Sequence, residues 1–163
     1  MTGEVILGVD PGLSGALAFL TIVQGEPVAL DVHDVPTFEV KTANRKTRQE
    51  MNCQEVGRLI TLYGPRRAFI EQVGAMPGQG VVSMFRFGFS AGVIHGALGA
   101  LRIPTHTITP QEWCRLVRLQ KGDGASRMLA SRLFPEASGL FSRVKDHGRA
   151  DAALIAWAGY LRA

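Results

Sequence analysis

The sequence has few of the features that mark an exported or membrane-bound protein. Among its 163 residues there are only two cysteines, Cys53 and Cys114, and their spacing is not that of a metal site. There is no run of 18 apolar residues, no basic-then-apolar signal segment at the N-terminus and no internal repeat. We therefore expect an intracellular protein that makes no membrane contact, with residues 1–163 as a single domain and its cysteines as buried or half-buried free thiols.

Composition and charge fit a globular chain with a phosphate-bearing partner. Hydrophobic residues make up 46% and charged residues 20%, which is ordinary for a domain with a full-sized core. Lys and Arg total 18 against 14 acids, so the net charge is +4 and the sequence pI is about 9.5. A basic surface favours nucleic acid through counterion release, although many basic proteins bind none.

Asp10 is the most informative residue. It ends a short apolar strand (residues 5–9) and is followed at once by a turn rich in proline and glycine (residues 11–15). A carboxylate at the end of a buried strand needs a partner, because an unpaired charge in a low dielectric costs several kcal/mol or forces neutralisation. The pattern therefore predicts a metal ligand.

Two further acids stand in comparable settings. Glu71 ends a second apolar strand, and Asp151 heads the apolar stripe Leu154, Ile155 and Ala158 at helical spacing. Each acid alone is also consistent with a helix cap, a turn or a solvated edge. Together with Asp10 they suggest an oxygen-ligand site for a hard cation such as Mg²⁺.

The order of elements predicts an α/β fold: a mixed five-stranded sheet with helices on both faces. Three apolar runs separated by glycine-containing turns predict an antiparallel meander, and strands alternate with helices after it. The polar segment 36–47 is either a solvated loop or a ribbon that touches DNA phosphates. The predicted strands are 5–10, 16–23, 28–33, 67–71 and 103–108, and the predicted helices are 48–63, 82–101, 110–117, 125–134 and a C-terminal helix that carries Asp151.

Residues 8–15, 70–73 with 76–80, and 147–156 resemble the motifs of RuvC-type Holliday junction resolvases. The middle motif is more similar to the phage and plastid branch of that family than to the main bacterial one. The resemblance implies an RNase H-like fold, a homodimer, and paired symmetric nicks in four-way or branched DNA during recombination, repair or phage DNA processing. It also implies two Mg²⁺ ions per site, with Mn²⁺ as a substitute, and the cytoplasm of a bacterial or phage-infected cell.

The resemblance assigns the active site. Asp10 would bridge the two cations, with Glu71 and Asp151 completing one each. Most bacterial members carry an acid three residues before the final Asp, where this chain has Gly148. His147, one helical turn before Asp151, is therefore predicted as the fourth residue, a ligand or proton carrier, and Asp146 is its rival, which could instead cap the helix.

DNA contacts are expected on either side of these acids. Aromatic and guanidinium planes can stack on the unpaired bases of a branch point, and basic residues can bind phosphates. Of the three alternating residues Phe85, Phe87 and Phe89, we expect two in the core. Trp113 is also expected in the core. The predicted DNA-binding residues are Met76, Gln79, Phe85, Arg86, Lys121 and Arg127.

The long middle helix is rich in small residues, including Gly88, Gly92, Gly96 and Gly99. Glycine costs about 1 kcal/mol relative to alanine inside a helix, so its repeated use suggests close approach of another backbone. That backbone belongs either to this protein's own sheet or, as the resemblance implies, to a second copy across a twofold axis.

Three other functions remain open from sequence alone. A different RNase H-like nuclease, acting on RNA–DNA hybrids, flaps or transposon ends, would use the same acids. An actin-like kinase or ATPase also begins with a strand, an acid and a glycine-rich turn, but such chains are longer and carry a second glycine-rich phosphate motif, which this sequence lacks. A junction-binding module without catalysis is the non-enzymatic alternative.

Overall fold

A five-stranded mixed sheet forms the centre of the computed structural model, which describes residues 3–44, 46–72, 74 and 77–162. Strands β1 (Glu4–Asp10), β2 (Ala16–Val23) and β3 (Glu26–Asp34) form an antiparallel meander, as predicted. Strands β6 (Arg67–Glu71) and β7 (Thr105–Ile108) add in parallel to β1, giving the order β3-β2-β1-β6-β7.

Helices cover both faces of the sheet, which confirms the predicted architecture. One face packs against α1 (Cys53–Tyr63) and α2 (Val81–Ala100). The other packs against α3 (Pro110–Leu116), α4 (Ala125–Leu133) and α5 (His147–Leu161), with two 3-10 helices, Pro135–Phe141 and Val144–Asp146, before α5. The centre of β1, residues 6–9, carries no polar side chain because both faces of the strand are buried there.

The C-terminal helix α5 lies directly against the first strand. A Cβ atom at Gly8 would overlap the backbone of Ala152 and Ala156, so these two elements touch backbone to backbone. The side chains of α5 from Ala152 to Ala156 are fully buried. This close packing fixes the start of α5, where His147 and Asp151 lie, relative to the end of β1.

The predicted helix over residues 48–63 begins too early. Residues Thr47–Met51 form a strand, β5, which pairs with β4 (Thr37–Lys41) in a separate two-stranded ribbon. Helix α1 begins at Cys53, after Asn52 caps it by accepting a hydrogen bond from the Glu55 N–H at 3.1 Å. Met51 is buried in the strand, so its apolar character fitted either assignment.

Helix α2 presents an apolar stripe to solvent. By length and composition it is long and apolar enough to cross a membrane. Phe85 and Phe89 are 73% and 55% exposed, whereas Phe87 is half-buried, so the expectation that two of the three lie in the core is wrong. Residues four apart share a helix face, which places both exposed rings on the stripe. Cys53 is also exposed, contrary to prediction, and Cys114 is half-buried as expected.

Candidate active site

The three predicted acids lie at one edge of the sheet. Strands β1 and β6 are parallel, and Val9 pairs with Ile70, so Asp10 and Glu71 end neighbouring strands side by side. Asp151 lies on the second turn of α5, which packs across β1. Ligand sites in open α/β sheets form at the carboxyl ends of parallel strands, and this edge is such a place.

Gly148 allows α5 to approach the turn that follows Asp10 (residues 11–15, the active-site turn). A Cβ atom at Gly148 would overlap the carbonyl oxygen of Ser14 and lie 3.2 Å from Asp10 Oδ2. A side chain therefore does not fit at this position. The acid that the resemblance led us to expect three residues before Asp151 therefore has no room in this structure.

The carboxylates destabilise one another's charged forms. Burial raises the pKa of Asp10 to about 7, with further contributions from Glu71 and Asp151, while the Gly12 N–H and His147 act in the opposite direction. Burial also raises the pKa of Glu71 and of Asp151. His147 interacts electrostatically with both Asp10 and Asp151, so all four predicted active-site residues belong to one electrostatic cluster.

The donor set fits a hard cation. Asp151 Oδ1 is buried and has no hydrogen-bond partner, which is costly for a carboxylate unless another ligand satisfies it. Glu71 Oε1 accepts a hydrogen bond from Trp113 Nε1 at 2.8 Å. In this conformation no three His, Cys, Asp or Glu side chains among the described residues come close enough to hold a metal ion. The oxygens are of the right chemistry for a hard cation, and holding one would require the carboxylates to move closer together.

Asp146, the rival of His147 for the fourth position, is engaged elsewhere. It is 2% exposed, accepts hydrogen bonds from the Arg143 backbone N–H at 2.9 Å and from Arg143 Nη2 at 2.8 Å, and lies 3.8 Å from Arg149. Arg149 in turn forms a two-pronged ion pair with Asp34 at 2.6 Å. His147 is exposed and lines the same cleft as Asp151. The geometry therefore favours His147 over Asp146 as the fourth residue of the site.

Two of the predicted phosphate-binding residues line one cleft with the active site. The cleft, of about 930 Å³, lies between α3, α4 and the start of α5, and we call it the α4 cleft. Lys121 and Arg127 line it together with His147 and Asp151. A phosphate that approaches Asp151 from this side would therefore meet two cations.

Two of the remaining predicted DNA contacts, Arg86 and Phe85, lie on the opposite side of the active-site turn. Arg86 lines a cleft of about 480 Å³ with Gly12 and Ser14, which we call the α2 cleft. Phe85 lies beside it and is largely exposed. Gln79 is exposed in the segment before α2. Met76 lies outside the described residues.

Two contacts in the site were not predicted from sequence. Trp113 was expected as a core residue and is buried, but its indole N–H also holds Glu71 across 42 residues of chain. The Arg149–Asp34 pair joins residues 115 positions apart. Neither pair can be predicted from local periodicity. The sequence showed only that Trp113 lies on a helix, which indicates burial but not its partner.

Known proteins share the fold of this chain or part of its sequence. The fold is RNase H-like: it matches RuvC of T. thermophilus, solved in complex with a Holliday junction substrate (TM-score 0.59, 16% identity, 97% of this chain and 93% of that one). It also matches the yeast mitochondrial Holliday junction resolvase Ydc2 (TM-score 0.56, 13% identity, 98% of this chain and 82% of that one).

In sequence, the chain is 34% identical over 104 residues to the chloroplastic Holliday junction resolvase MOC1 of Chlamydomonas reinhardtii. The match covers 62% of this chain and 11% of that protein, so the chain spans a small part of that relative's length. No family model matches the sequence. The resemblance to RuvC-type resolvases that the motifs predicted is confirmed.

Proposed function

We propose that this chain is a Holliday junction resolvase, a structure-specific endonuclease that cuts four-way or branched DNA by symmetric paired nicks. The observation that carries the proposal is the cluster of Asp10, Glu71, Asp151 and His147 at one sheet edge, between clefts lined by basic residues. Likeness to proteins that are named as resolvases supports the same activity. Phosphodiester hydrolysis at an acidic edge flanked by cations is the chemistry that this arrangement suits.

The residues have distinct roles in this proposal. Asp10, Glu71 and Asp151 hold Mg²⁺, two ions per site with Mn²⁺ as a substitute, and His147 is a further ligand or carries a proton. When bound, the ions would supply a water that is nucleophilic at neutral pH and would stabilise the leaving 3′ oxygen. Lys121 and Arg127 bind phosphates in the α4 cleft, while Arg86 and Phe85 contact DNA on the other side. Gln79 and Met76 are proposed as further DNA contacts.

A homodimer completes the proposal. A four-way junction has two equivalent scissile phosphates, so two sites related by a twofold axis are needed. The solvent-facing stripe of α2 carries Phe85, Phe89, Gly92, Gly96 and Gly99, and nothing in the described structure lies within 4 Å of a Cβ at any of these glycines. Small residues on such a stripe allow two helices to approach closely, which favours the second-copy alternative over packing on the protein's own sheet.

Two further expectations remain predictions: that residues 1–163 act as one nuclease domain, and that the protein works in the cytoplasm of a bacterial or phage-infected cell. The relatives are named as chloroplastic and mitochondrial proteins.

The deciding experiment compares cleavage of a labelled four-way junction in Mg²⁺ with cleavage of plain duplex, flap and RNA–DNA hybrid. Paired, symmetric and religatable nicks on the junction are expected. They should vanish in Asp10→Asn, while junction binding should persist because that substitution leaves both basic clefts intact. Asp31→Asn, at an exposed acid on β3, is the matched control and should cut normally.

The alternatives give different results in the same assay. Equal cutting of hybrid or duplex would identify a more general RNase H-like nuclease. Tight junction binding with no nick in Mg²⁺ or Mn²⁺ would identify a binding module.

A further inference from the structure

The ribbon formed by β4 and β5 has no role in the site described so far, yet its base is tied to that site. The Val35 N–H, just before β4, donates to the Gly15 carbonyl of the active-site turn at 3.0 Å. At the other end, the Asn52 N–H donates to the Pro36 carbonyl at 2.8 Å and closes the base. The ribbon therefore extends from a point fixed relative to Asp10.

One face of the ribbon continues the wall of the α2 cleft. Thr37 and Gln49, near the base, line that cleft with the active-site turn and Arg86. Residues opposite each other in an antiparallel pair share a face, and the face alternates along each strand. The pairs Glu39–Gln49 and Lys41–Thr47 therefore lie on the same face, and Lys41 stands farther out along it.

The outer half of the ribbon carries unbalanced positive charge. Of the two acids of the ribbon, Glu50 forms an ion pair with Arg48, whereas Glu39 accepts a hydrogen bond from the neutral side chain of Gln49 at 3.4 Å and keeps its charge. Both acids lie nearer the base than Lys41, and the two lysines outnumber the one acid left without a cation. Lys41 and Lys46 are exposed, and neither forms an ion pair with a residue that the structure describes. The Thr42 N–H and hydroxyl both donate to the Lys46 carbonyl at 2.8 Å, which joins the two strands just beyond Lys41.

The ribbon and the α4 cleft lie on opposite sides of the active-site turn. Lys121 and Arg127 approach Asp151 from the α4 side, whereas Thr37, Gln49 and Arg86 border the turn from the other. Each strand of the ribbon has five residues and so spans roughly 16 Å at the usual rise per residue. An arm of that length, with Lys41 and Lys46 at its outer end, is long enough to reach beyond the active-site turn.

We propose that the β4–β5 ribbon is a DNA-binding arm whose Lys41 and Lys46 contact backbone phosphates beside the active site. The inference rests on the proposed function, because it takes junction DNA as the ligand. Phosphate contacts of this kind contribute affinity and orientation without reading sequence. Each contact releases counterions, so each contributes about 0.9 to the slope of log affinity against log salt concentration.

The test measures junction binding in the Asp10→Asn background, where no cutting occurs, over a series of NaCl concentrations. We expect Lys41→Ala and Lys46→Ala each to reduce the magnitude of the salt slope by about 1, and the double variant by about 2. At about 0.1 M salt the double variant should bind at least 10-fold more weakly. The Lys41→Arg/Lys46→Arg variant keeps both charges and should retain the slope.

Arg66→Ala is the matched control. Arg66 is an exposed basic residue just before β6, at the sheet edge opposite to Glu71. Its substitution by alanine removes one positive charge, as each single lysine variant does. Its affinity and slope should stay those of the parent. A double lysine variant that binds like Arg66→Ala would overturn the inference while leaving the proposed function intact. A parent protein that binds no junction at any salt concentration would overturn both.

Discussion

Two groups of carboxylates lie on either side of Gly148, and their electrostatic surroundings are opposite. Asp146 and Asp34 are ion-paired by Arg143 and Arg149, and hydrogen bonds from Arg143 lower the pKa of Asp146 to about 2. Beyond the glycine, Asp10, Glu71 and Asp151 form no ion pair with Lys or Arg in the part of the chain that the structure describes.

The difference in surroundings indicates a structural role for the first group and a functional role for the second. The first group is complete with the protein's own cations, so it holds the start of α5 in place. The second group is incomplete, with burial raising the pKa of Asp10 to about 7 and one buried oxygen of Asp151 without a hydrogen bond. A cluster of this kind is costly to an apoprotein and is relieved by a bound cation, which is why perturbed carboxylates indicate a functional site.

Breaking the complete group should have the largest effect on stability. In Asp146→Asn, one oxygen that accepts from Arg143 becomes an NH₂ group facing a donor, and the buried Asp146 loses its ion pair with the half-exposed Arg143. We expect the melting temperature at neutral pH to fall by roughly 8 °C or more. Circular dichroism melts would measure the change.

The pH dependence of that loss follows from the lowered pKa. A carboxylate whose pKa is lower in the folded state stabilises the protein above its ordinary value of 3.8, and this contribution disappears as the pH falls through about 2. The difference in melting temperature between Asp146→Asn and the wild type should therefore become smaller in strong acid. The control, Asp31→Asn, changes an exposed acid; equal melting of Asp146→Asn and the wild type at neutral pH would contradict the structural role.

The contact between the two groups can be tested at Gly148 itself. In Gly148→Ala the new methyl group would overlap the Ser14 carbonyl, so α5 must move away from the active-site turn. We expect a loss of roughly 2–3 kcal/mol in the free energy of unfolding. The measurement is urea denaturation.

The matched control is Gly57→Ala in α1, where nothing lies within 4 Å of the added Cβ. Alanine is favoured over glycine inside a helix, so this variant should be more stable by roughly 0.5–1 kcal/mol. Opposite signs for the two substitutions are expected. A neutral Gly148→Ala would mean that the turn and the helix are less closely packed than described.

The stability contribution of the incomplete group should depend on pH in the opposite direction to that of Asp146. Asp10 has an ordinary pKa of 3.8 and a folded-state pKa of about 7, so the native state keeps a proton that the unfolded state loses between these values. Its contribution to stability therefore declines as pH rises through that window. Without metal, Asp10→Asn should be more stable than the wild type by roughly 1–3 kcal/mol at about pH 8, and equal to it below 3.8.

Adding Mg²⁺ should reverse this order, because a ligand that binds only the folded state stabilises it, and the variant has lost a carboxylate of the site. Thermal melts of the wild type and of Asp10→Asn, each with EDTA and with Mg²⁺, give the four melting temperatures needed at each pH. A variant less stable than the wild type in EDTA at neutral pH would show that Asp10 is not under electrostatic strain in the apoprotein.

The sequence was sufficient for the parts of the molecule that depend on local pattern. Asp10 and Glu71 were found because each ends an apolar strand, and Asp151 because it heads an apolar helical stripe. The ribbon was one of two alternatives for segment 36–47, but its second strand was assigned to a helix, because Arg48–Met51 is short and Met51 suits a helix or a strand equally well. Phe85 and Phe89 were partly misassigned because apolar character alone does not show whether a helix face meets the sheet or solvent.

Contacts between distant parts of the chain were also out of reach. The approach of α5 to Ser14 makes Gly148 necessary, but the sequence showed only that an expected acid was missing. The Arg149–Asp34 pair depends on how β3 and α5 come together, and its partners lie 115 residues apart. Such pairs are set by tertiary packing, which no local window contains.

The smallest expected effect concerns Trp113, a neutral side chain that donates a hydrogen bond to the incomplete cluster. Its indole N–H donates to Glu71 Oε1 at 2.8 Å, and this hydrogen bond opposes the effect of burial by lowering the pKa of Glu71. Trp113→Phe keeps an aromatic ring in the core but removes the donor, so the pKa of Glu71 should rise further and its carboxylate should be less well oriented for a cation.

We expect the Mg²⁺ concentration for half-maximal cleavage to rise roughly 2- to 5-fold, with little change in rate at saturating Mg²⁺. Mn²⁺ binding measured by electron paramagnetic resonance should weaken by the same factor, which separates loss of ion affinity from general damage. Trp157→Phe is the control, because Trp157 packs against Phe134 and Tyr160 and lies beside residues 27–30, at the end of the sheet away from Asp10. If Trp113→Phe bound Mn²⁺ as the wild type does, the indole would be a core residue and nothing more, as the sequence alone suggested.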